Sequence, residues 1–135
     1  MITLKQYLGK WESDTNPSII LSANDLLEKV NALMAHMESE GVEFKINPIT
    51  KSKISGETYG GFRPQSCTQG AAKSAHKVGM AVDIYDPDNK IDAWLLAHAD
   101  RLDEYDLYFE HPNDTNTWSH WGTREPKSGN RFFHP

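Results

Sequence analysis

The stretch SAHKVGMAVD, Ser74–Asp83, carries the clearest pattern in the chain. It places the imidazole of His76 and the carboxylate of Asp83 seven positions apart, with Gly79 between them. A glycine allows the chain to bend, so the two side chains can converge. Apolar alternation over residues 79–85 predicts a strand, with Asp83 near its end.

A second histidine extends this pattern. His120 lies far downstream in TWSHW, residues 117–121, where we predict another strand. Two imidazoles and one carboxylate suit a catalytic zinc, because three protein ligands leave the fourth tetrahedral position open for water. This set of ligands also favours zinc over other divalent ions. Taken singly, His76 is better explained as a surface loop histidine, Asp83 as an ordinary strand-end acid and His120 as a core histidine; the joint spacing favours the metal site.

These motifs resemble those of a known enzyme family. SAHKVGMAVD is similar to the S-x-H-x-x-G-x-A-x-D signature of the M15 zinc peptidases, which include D-alanyl-D-alanine carboxypeptidases, D-Ala-D-Ala dipeptidases and phage L-alanyl-D-glutamate endolysins. Trp118-Ser119-His120 resembles the family's W-x-H element, which carries the third ligand. Gly61-Phe62-Arg63-Pro64 resembles its upstream G-[YF]-R-x element, and the three elements follow in the same order.

The resemblance implies both a fold and an activity. The fold would be α+β, a small antiparallel sheet with flanking helices of the Hedgehog/D-Ala-D-Ala-peptidase type. The activity would be that of a zinc metallopeptidase, of carboxypeptidase or endolysin type, which hydrolyses peptidoglycan stem peptides with metal-activated water. His76, Asp83 and His120 would hold the Zn²⁺.

Three further residues are expected to contact substrate. The resemblance implies that Arg63 binds a substrate carboxylate or the oxyanion, with a surface salt bridge as the alternative. Ser74 either bonds the substrate or caps its own loop. Trp118 shares a strand face with His120 by alternation, so we expect it to wall the cleft.

The general base is harder to place. Many relatives carry a glutamate three positions before the last histidine, where this chain has Thr117, whose hydroxyl cannot accept a proton at useful pH. Glu110, His111 and Asp114 lie just upstream. We expect Glu110 to act as the base, because a carboxylate with a raised pKa suits that role. The alternative is that Glu110 is a solvated strand end.

Two other functions compete with this one. Without a glutamate at position 117, the chain would be a catalytically weak or inactive zinc-containing module that binds wall peptides or forms part of a phage particle. A zinc hydrolase acting on another small peptide or amide is the second alternative.

Composition limits the other possibilities. The 135 residues suit one domain, 1–135, with residues 1–21 as an N-terminal arm. A net charge of -5 without a basic run gives no reason to expect nucleic-acid binding. No apolar run approaches the roughly 20 residues that span a bilayer, and the first residues do not resemble a signal peptide. We therefore expect a protein made in the cytoplasm. If its substrate is cell wall, as the resemblance implies, it would reach the wall at lysis or on a phage particle. We also expect a monomer. The single cysteine, Cys67, is expected to be an idle thiol.

Periodicity predicts the remaining elements. Ser22 is expected to cap a helix over 23–40 that ends before Gly41, and a second helix is expected over 90–101. Strands are expected over 42–46, 107–110 and 117–121, and residues 51–56 are expected to form a short strand or a loop. This mixture favours an α+β fold with an antiparallel sheet.

Overall fold

A computed structural model describes all 135 residues. It contains three α-helices, α1 (Leu4–Leu8), α2 (Pro17–Ser39) and α3 (Lys90–Ala97), and four strands, β1 (Ala81–Tyr85), β2 (Tyr108–Glu110), β3 (Trp118–Gly122) and β4 (Phe132–Phe133). Short 3₁₀ segments cover Gly9–Asp14, Ala75–Val78, Ala99–Tyr105 and Pro112–Asp114. The expected α+β class is confirmed, and strands are present near all three of the positions 79–85, 107–110 and 117–121.

The four strands form one mixed sheet in the order β1-β3-β2-β4. β3 pairs antiparallel with β1 on one side and with β2 on the other, and Asp83 lies opposite His120. The prediction of an antiparallel sheet is wrong at one edge, because β4 pairs parallel with β2 through Phe109 and Phe132. Residues 123–131 connect β3 to β4, which lies at the sheet edge beyond β2. Because β4 is parallel to β2 and β2 is antiparallel to β3, β4 runs antiparallel to β3.

Helix α2 begins earlier than predicted. Asn16 is its N-cap, since its side-chain oxygen accepts a hydrogen bond from the Ile19 amide at 2.9 Å, and Pro17 occupies the first helical position. Proline is well suited to that position because its missing N–H would have no partner there. Ser22, the predicted cap, lies inside the helix, so the last part of the predicted 1–21 arm is helical. The helix ends at Ser39, one residue before the predicted end at 40.

Two other predicted elements need correction. Residues 42–46 are not a strand: only Phe44 of their apolar side chains is buried, Ile46 is exposed, and no neighbouring strand pairs with them. Residues 51–56 form a loop, one of the two predicted alternatives, with isolated bridges from Ser52 to Asn47 and from Ile54 to Ile84. Helix α3 stops at Ala97, short of the predicted 101, and the chain continues as a 3₁₀ segment.

One core holds the elements together. The apolar face of α2 buries eight residues, and it shares a cluster of 22 buried side chains with Val82, Ile84 and Trp121 of the sheet. Because side chains alternate along a strand, Asp83 points away from that core. Asp83 and its cross-strand neighbour His120 therefore lie on the face of the sheet that α2 leaves uncovered. None of the helices is sufficiently long and apolar to cross a bilayer.

Candidate metal centre and cleft

Three side chains converge on this open face. His76 Nε2 lies 3.3 Å from Asp83 Oδ1, and His120 Nδ1 lies 2.9 Å from the same oxygen. One ligand atom from each of the three residues lies within 4.8 Å of the others. Metal–ligand distances of about 2.0–2.2 Å in a tetrahedral site place ligand atoms about 3.3–3.6 Å apart. The spacing therefore fits a group that can hold a metal ion.

The orientation of His76 leaves a nitrogen free for a metal. Its Nδ1 is 2.8 Å from the Gly61 carbonyl oxygen, to which it donates, so Nε2, which faces Asp83, is the nitrogen that can bind a metal. Hydrogen bonds of this kind commonly fix the tautomer and ring orientation of a metal-binding histidine. Burial lowers the pKa of His76, against the charge of Asp83, which raises it. Neutral imidazole is the form that binds a metal.

Gly79 supplies the bend predicted between His76 and Asp83. Its φ is +75°, in the left-handed region, and a Cβ placed there would lie 2.7 Å from the Ile19 carbonyl oxygen of α2. Any other residue would meet both backbone strain and a clash. Gly79 thus allows the 3₁₀ turn that carries His76 to pack closely on α2 before the chain enters β1.

Asp83 is ionised within this cluster. Burial alone would raise its pKa, but the nearby charges of His76 and His120 and their hydrogen bonds lower it well below its ordinary value. Its second oxygen, Oδ2, lies 3.4 Å from Arg63 Nη2. The carboxylate therefore contacts both histidines and one permanent cation.

Arg63 lines the cleft, but most of its donors already have partners. Nε donates to the Tyr59 carbonyl at 2.8 Å, Nη1 to the Gln69 carbonyl at 3.3 Å, and Nη2 pairs with Asp83. Only 9% of its side chain is exposed. Arg63 does form an ion pair, but the pair is internal and not at the surface, so the surface salt bridge considered as its alternative role is wrong. Its partner, Asp83, belongs to the group His76, Asp83 and His120, called the metal group below.

A cleft of about 1030 Å³ surrounds the three ligands. Among the predicted site residues, Arg63, Ser74, Glu110 and Trp118 line it together with His76, Asp83 and His120. Ser74 also caps the turn that carries His76, because its hydroxyl accepts a hydrogen bond from the His76 amide at 3.3 Å. Both roles considered for Ser74 are thus compatible with its position.

Glu110 is the only one of the three upstream candidates for the base that lines the cleft; His111 and Asp114 do not. It is half-buried at the end of β2. Burial raises the pKa of its carboxyl, against the charge of His120, which lowers it. The alternative of a fully solvated strand end does not describe this position.

Thr117 takes no part in the cleft. It is exposed, it does not line the cavity, and its φ is +76°, which is unusual for a β-branched residue. Hydrogen bonds hold this backbone: the Thr117 amide donates to the Asn89 side chain at 2.9 Å, and its carbonyl accepts from the Asp86 amide at 3.1 Å. The hydroxyl of Thr117 is therefore not a substitute for a general base.

Several residues of the cleft were not predicted. Phe133 of β4 packs edge-to-face on His120, with ring centroids 5.9 Å apart. A two-residue strand has no periodicity, so the sequence offered no signal for it. Three cations also line the cleft, Lys73, Arg124 and Lys127. Each stands in a polar loop segment, which on its own does not indicate a site.

The N-terminal arm supports one wall of the cleft. Trp11 stacks on Tyr59 at 5.6 Å, and its indole nitrogen donates to the Thr58 carbonyl at 2.8 Å. The buried Tyr7 hydroxyl donates to the Ala81 carbonyl at 2.9 Å. These contacts fix the loop that carries Arg63 and the carbonyl oxygen that orients His76.

Comparison of the chain with protein-family models, with curated proteins and with solved structures gives no match. The resemblance to zinc peptidases is therefore one of short sequence motifs and of their order along the chain.

Proposed function

We propose that this chain is a zinc-dependent metallopeptidase that hydrolyses peptide bonds in peptidoglycan stem peptides. The observation that carries the proposal is the convergence of His76, Asp83 and His120 in a cleft that also contains Glu110. The M15 motifs support the substrate class and a fold of the D-Ala-D-Ala-peptidase type.

The ligand set suits zinc. Two imidazoles and one carboxylate form a three-residue site typical of catalytic zinc, with one position left for water. When bound, zinc would lower the pKa of that water and polarise the scissile carbonyl. The hydrogen bond from His76 to Gly61 and the ion pair between Asp83 and Arg63 would hold the ligands in place.

Glu110 is the residue that would move the proton. In hydrolysis, water adds to the carbonyl carbon, the C–N bond breaks, and the proton lost by the water is delivered to the leaving amine. A half-buried carboxylate with a raised pKa suits both the acceptance and the return of that proton. Trp118 and Phe133 line the same cleft and would pack against the peptide.

One observation favours a second candidate, a zinc-containing module that binds wall peptides without turnover. Position 117, where many relatives carry a glutamate, holds an exposed threonine outside the cleft. If Glu110 does not serve as the base, binding without hydrolysis would follow.

Hydrolysis of purified peptidoglycan tests the proposal. The zinc-loaded protein should release new amino groups, and the masses of the products should identify the bond. His120→Ala and added chelator should each abolish release, and ordinary L-peptides should be poor substrates. Release that is unaffected by His120→Ala would overturn the proposed mechanism. Absence of release from a zinc-loaded, folded protein would favour the binding module, and equal cleavage of L-peptides would favour a general peptidase.

A further inference from the structure

Arg63 is poorly placed to bind a substrate carboxylate, because most of its donors already have partners within the protein. Its guanidinium donates to two backbone carbonyls and pairs with Asp83, and its side chain is nearly inaccessible. A substrate carboxylate would therefore have to compete with a buried carboxylate of the metal group. A cation of the cleft that has no such partner is therefore a better candidate than Arg63 to bind an anionic peptide.

Three other cations line the cleft, Lys73, Arg124 and Lys127. All three are exposed, and none forms a salt bridge, although the chain has more acidic than basic residues. Of the acidic side chains, Glu57, Asp83 and Glu110 line the same cleft, and none of them pairs with these cations. The side of the cleft that carries these three cations, called the basic wall below, thus has no acidic side chain of the protein to neutralise it.

Arg124 is the best placed of the three. One of its terminal nitrogens donates to the Lys73 carbonyl at 2.8 Å, a bond that joins the segment after β3 to the loop before His76. This bond orients the guanidinium and leaves its other N–H groups available. Two parallel N–H groups of a guanidinium match the two oxygens of a carboxylate.

Short sequence separations place the basic wall close to the metal group. Arg124 follows the ligand His120 by four residues, and Lys73 precedes His76 by three. At about 3.3–3.6 Å per extended residue, the Cα of Arg124 lies at most about 14 Å from that of His120. A peptide bound at the metal group can therefore present a carboxylate from a neighbouring residue to Arg124.

We propose that Arg124, assisted by Lys73 and Lys127, binds a free carboxylate of the substrate close to the scissile bond. The substrate class is then an anionic peptide rather than any peptide with D-amino acids. This inference rests on the proposed peptidase function and assigns its specificity to residues outside the metal group.

Binding of a matched pair of peptides tests it. The pair is the stem pentapeptide L-Ala-γ-D-Glu-L-Lys-D-Ala-D-Ala with both carboxylates free, and the same peptide with both converted to amides. Calorimetry on the zinc-loaded Glu110→Gln variant measures affinity while turnover is suppressed. Arg124→Gln is added to that background, and Lys5→Gln is the control, since Lys5 is exposed, unpaired and outside the cleft.

The free acid should bind about tenfold or more tightly than the diamide, because a charge-assisted bidentate pair is lost in the amide. Arg124→Gln should remove this preference, and Lys5→Gln should retain it. The two single amides then identify the carboxylate that is recognised. Equal affinity for acid and diamide, a preference that survives Arg124→Gln, or no binding of either peptide would overturn the inference. Hydrolysis of peptidoglycan by the unmodified protein is scored separately, so the proposed function can stand when this inference fails.

Discussion

At the scale of single residues, Asp83 links the two histidines of the candidate metal site to Arg63. Its carboxylate contacts His76, His120 and Arg63, and only 13% of its side chain is exposed. Removing one partner from a buried ion pair leaves the other charge uncompensated, which is far more costly than losing a surface pair.

Asp83→Asn should therefore destabilise the metal-free protein by about 3 kcal/mol, because it leaves Arg63 buried without its carboxylate. Chemical unfolding in the presence of chelator measures this change. Asp88→Asn is the matched control, since Asp88 pairs with Lys45 at the surface, where solvent screening leaves such a pair little effect on stability. Equal effects of the two substitutions would show that the buried network contributes no more to stability than a surface ion pair.

Glu110 is the proposed general base of the reaction. A general base must be ionised, so the rate should fall as pH decreases through the pKa of Glu110, which burial raises above the ordinary glutamate value. Glu110→Gln should lower kcat by about 10²–10⁴-fold and remove that acidic limb. The comparison variant is Glu57→Gln, an exposed carboxylate of the same cleft that should leave kcat nearly unchanged. Wild-type turnover in Glu110→Gln would exclude it as the base.

At the scale of elements, α1 and the Gly61 segment fix the ligand geometry. A Cβ at Gly61 would lie 2.2 Å from the Tyr7 carbonyl oxygen, and the Gly61 carbonyl orients His76. Gly61→Ala should cost about 1–3 kcal/mol or more of stability and weaken zinc binding. Gly41→Ala, with no neighbouring atom within 4 Å of the new Cβ, should strain only its own backbone and leave zinc affinity unchanged. Unfolding curves and zinc titrations distinguish the two.

The start of α2 offers a second test at this scale. Asn16→Ala removes the cap on the Ile19 amide and should cost about 1 kcal/mol. Ser22→Ala lies within the helix and should be neutral or slightly stabilising, because alanine has the higher helix propensity. Denaturant midpoints of the two variants give the comparison, and a larger loss from Ser22→Ala would place the cap where the sequence pattern first suggested it.

At the scale of the whole molecule, the pattern of the sequence predicted what depends on local periodicity. The strand over Ala81–Tyr85 and the spacing across Gly79 both follow from short-range rules, and the structure brings the three predicted ligands together. The parallel edge strand β4 could not be predicted, because its two residues acquire a partner only through long-range packing. Conversely, residues 42–46 alternate in sequence but form no strand, because the fold brings no partner strand beside them.

Charge partners were equally difficult to predict. The sequence indicated a functional arginine at Arg63, but only the fold shows that its donors face Tyr59, Gln69 and Asp83. Likewise, Arg124 stands in an unremarkable polar segment until the fold places it on the cleft wall. The candidate ligands were therefore accessible from local spacing, whereas the partners of each charge depend on contacts across the whole chain.

Titration of the metal-free protein with zinc tests whether His76, Asp83 and His120 form a metal centre. Calorimetry should show one zinc per chain in the wild type and in His98→Ala, a control in which the removed histidine stacks on Trp94 outside the group. His120→Ala should bind zinc about a hundredfold more weakly or worse, since it removes one of three ligands. No zinc binding by the wild type, or the same affinity in His120→Ala, would contradict the assignment of the metal centre.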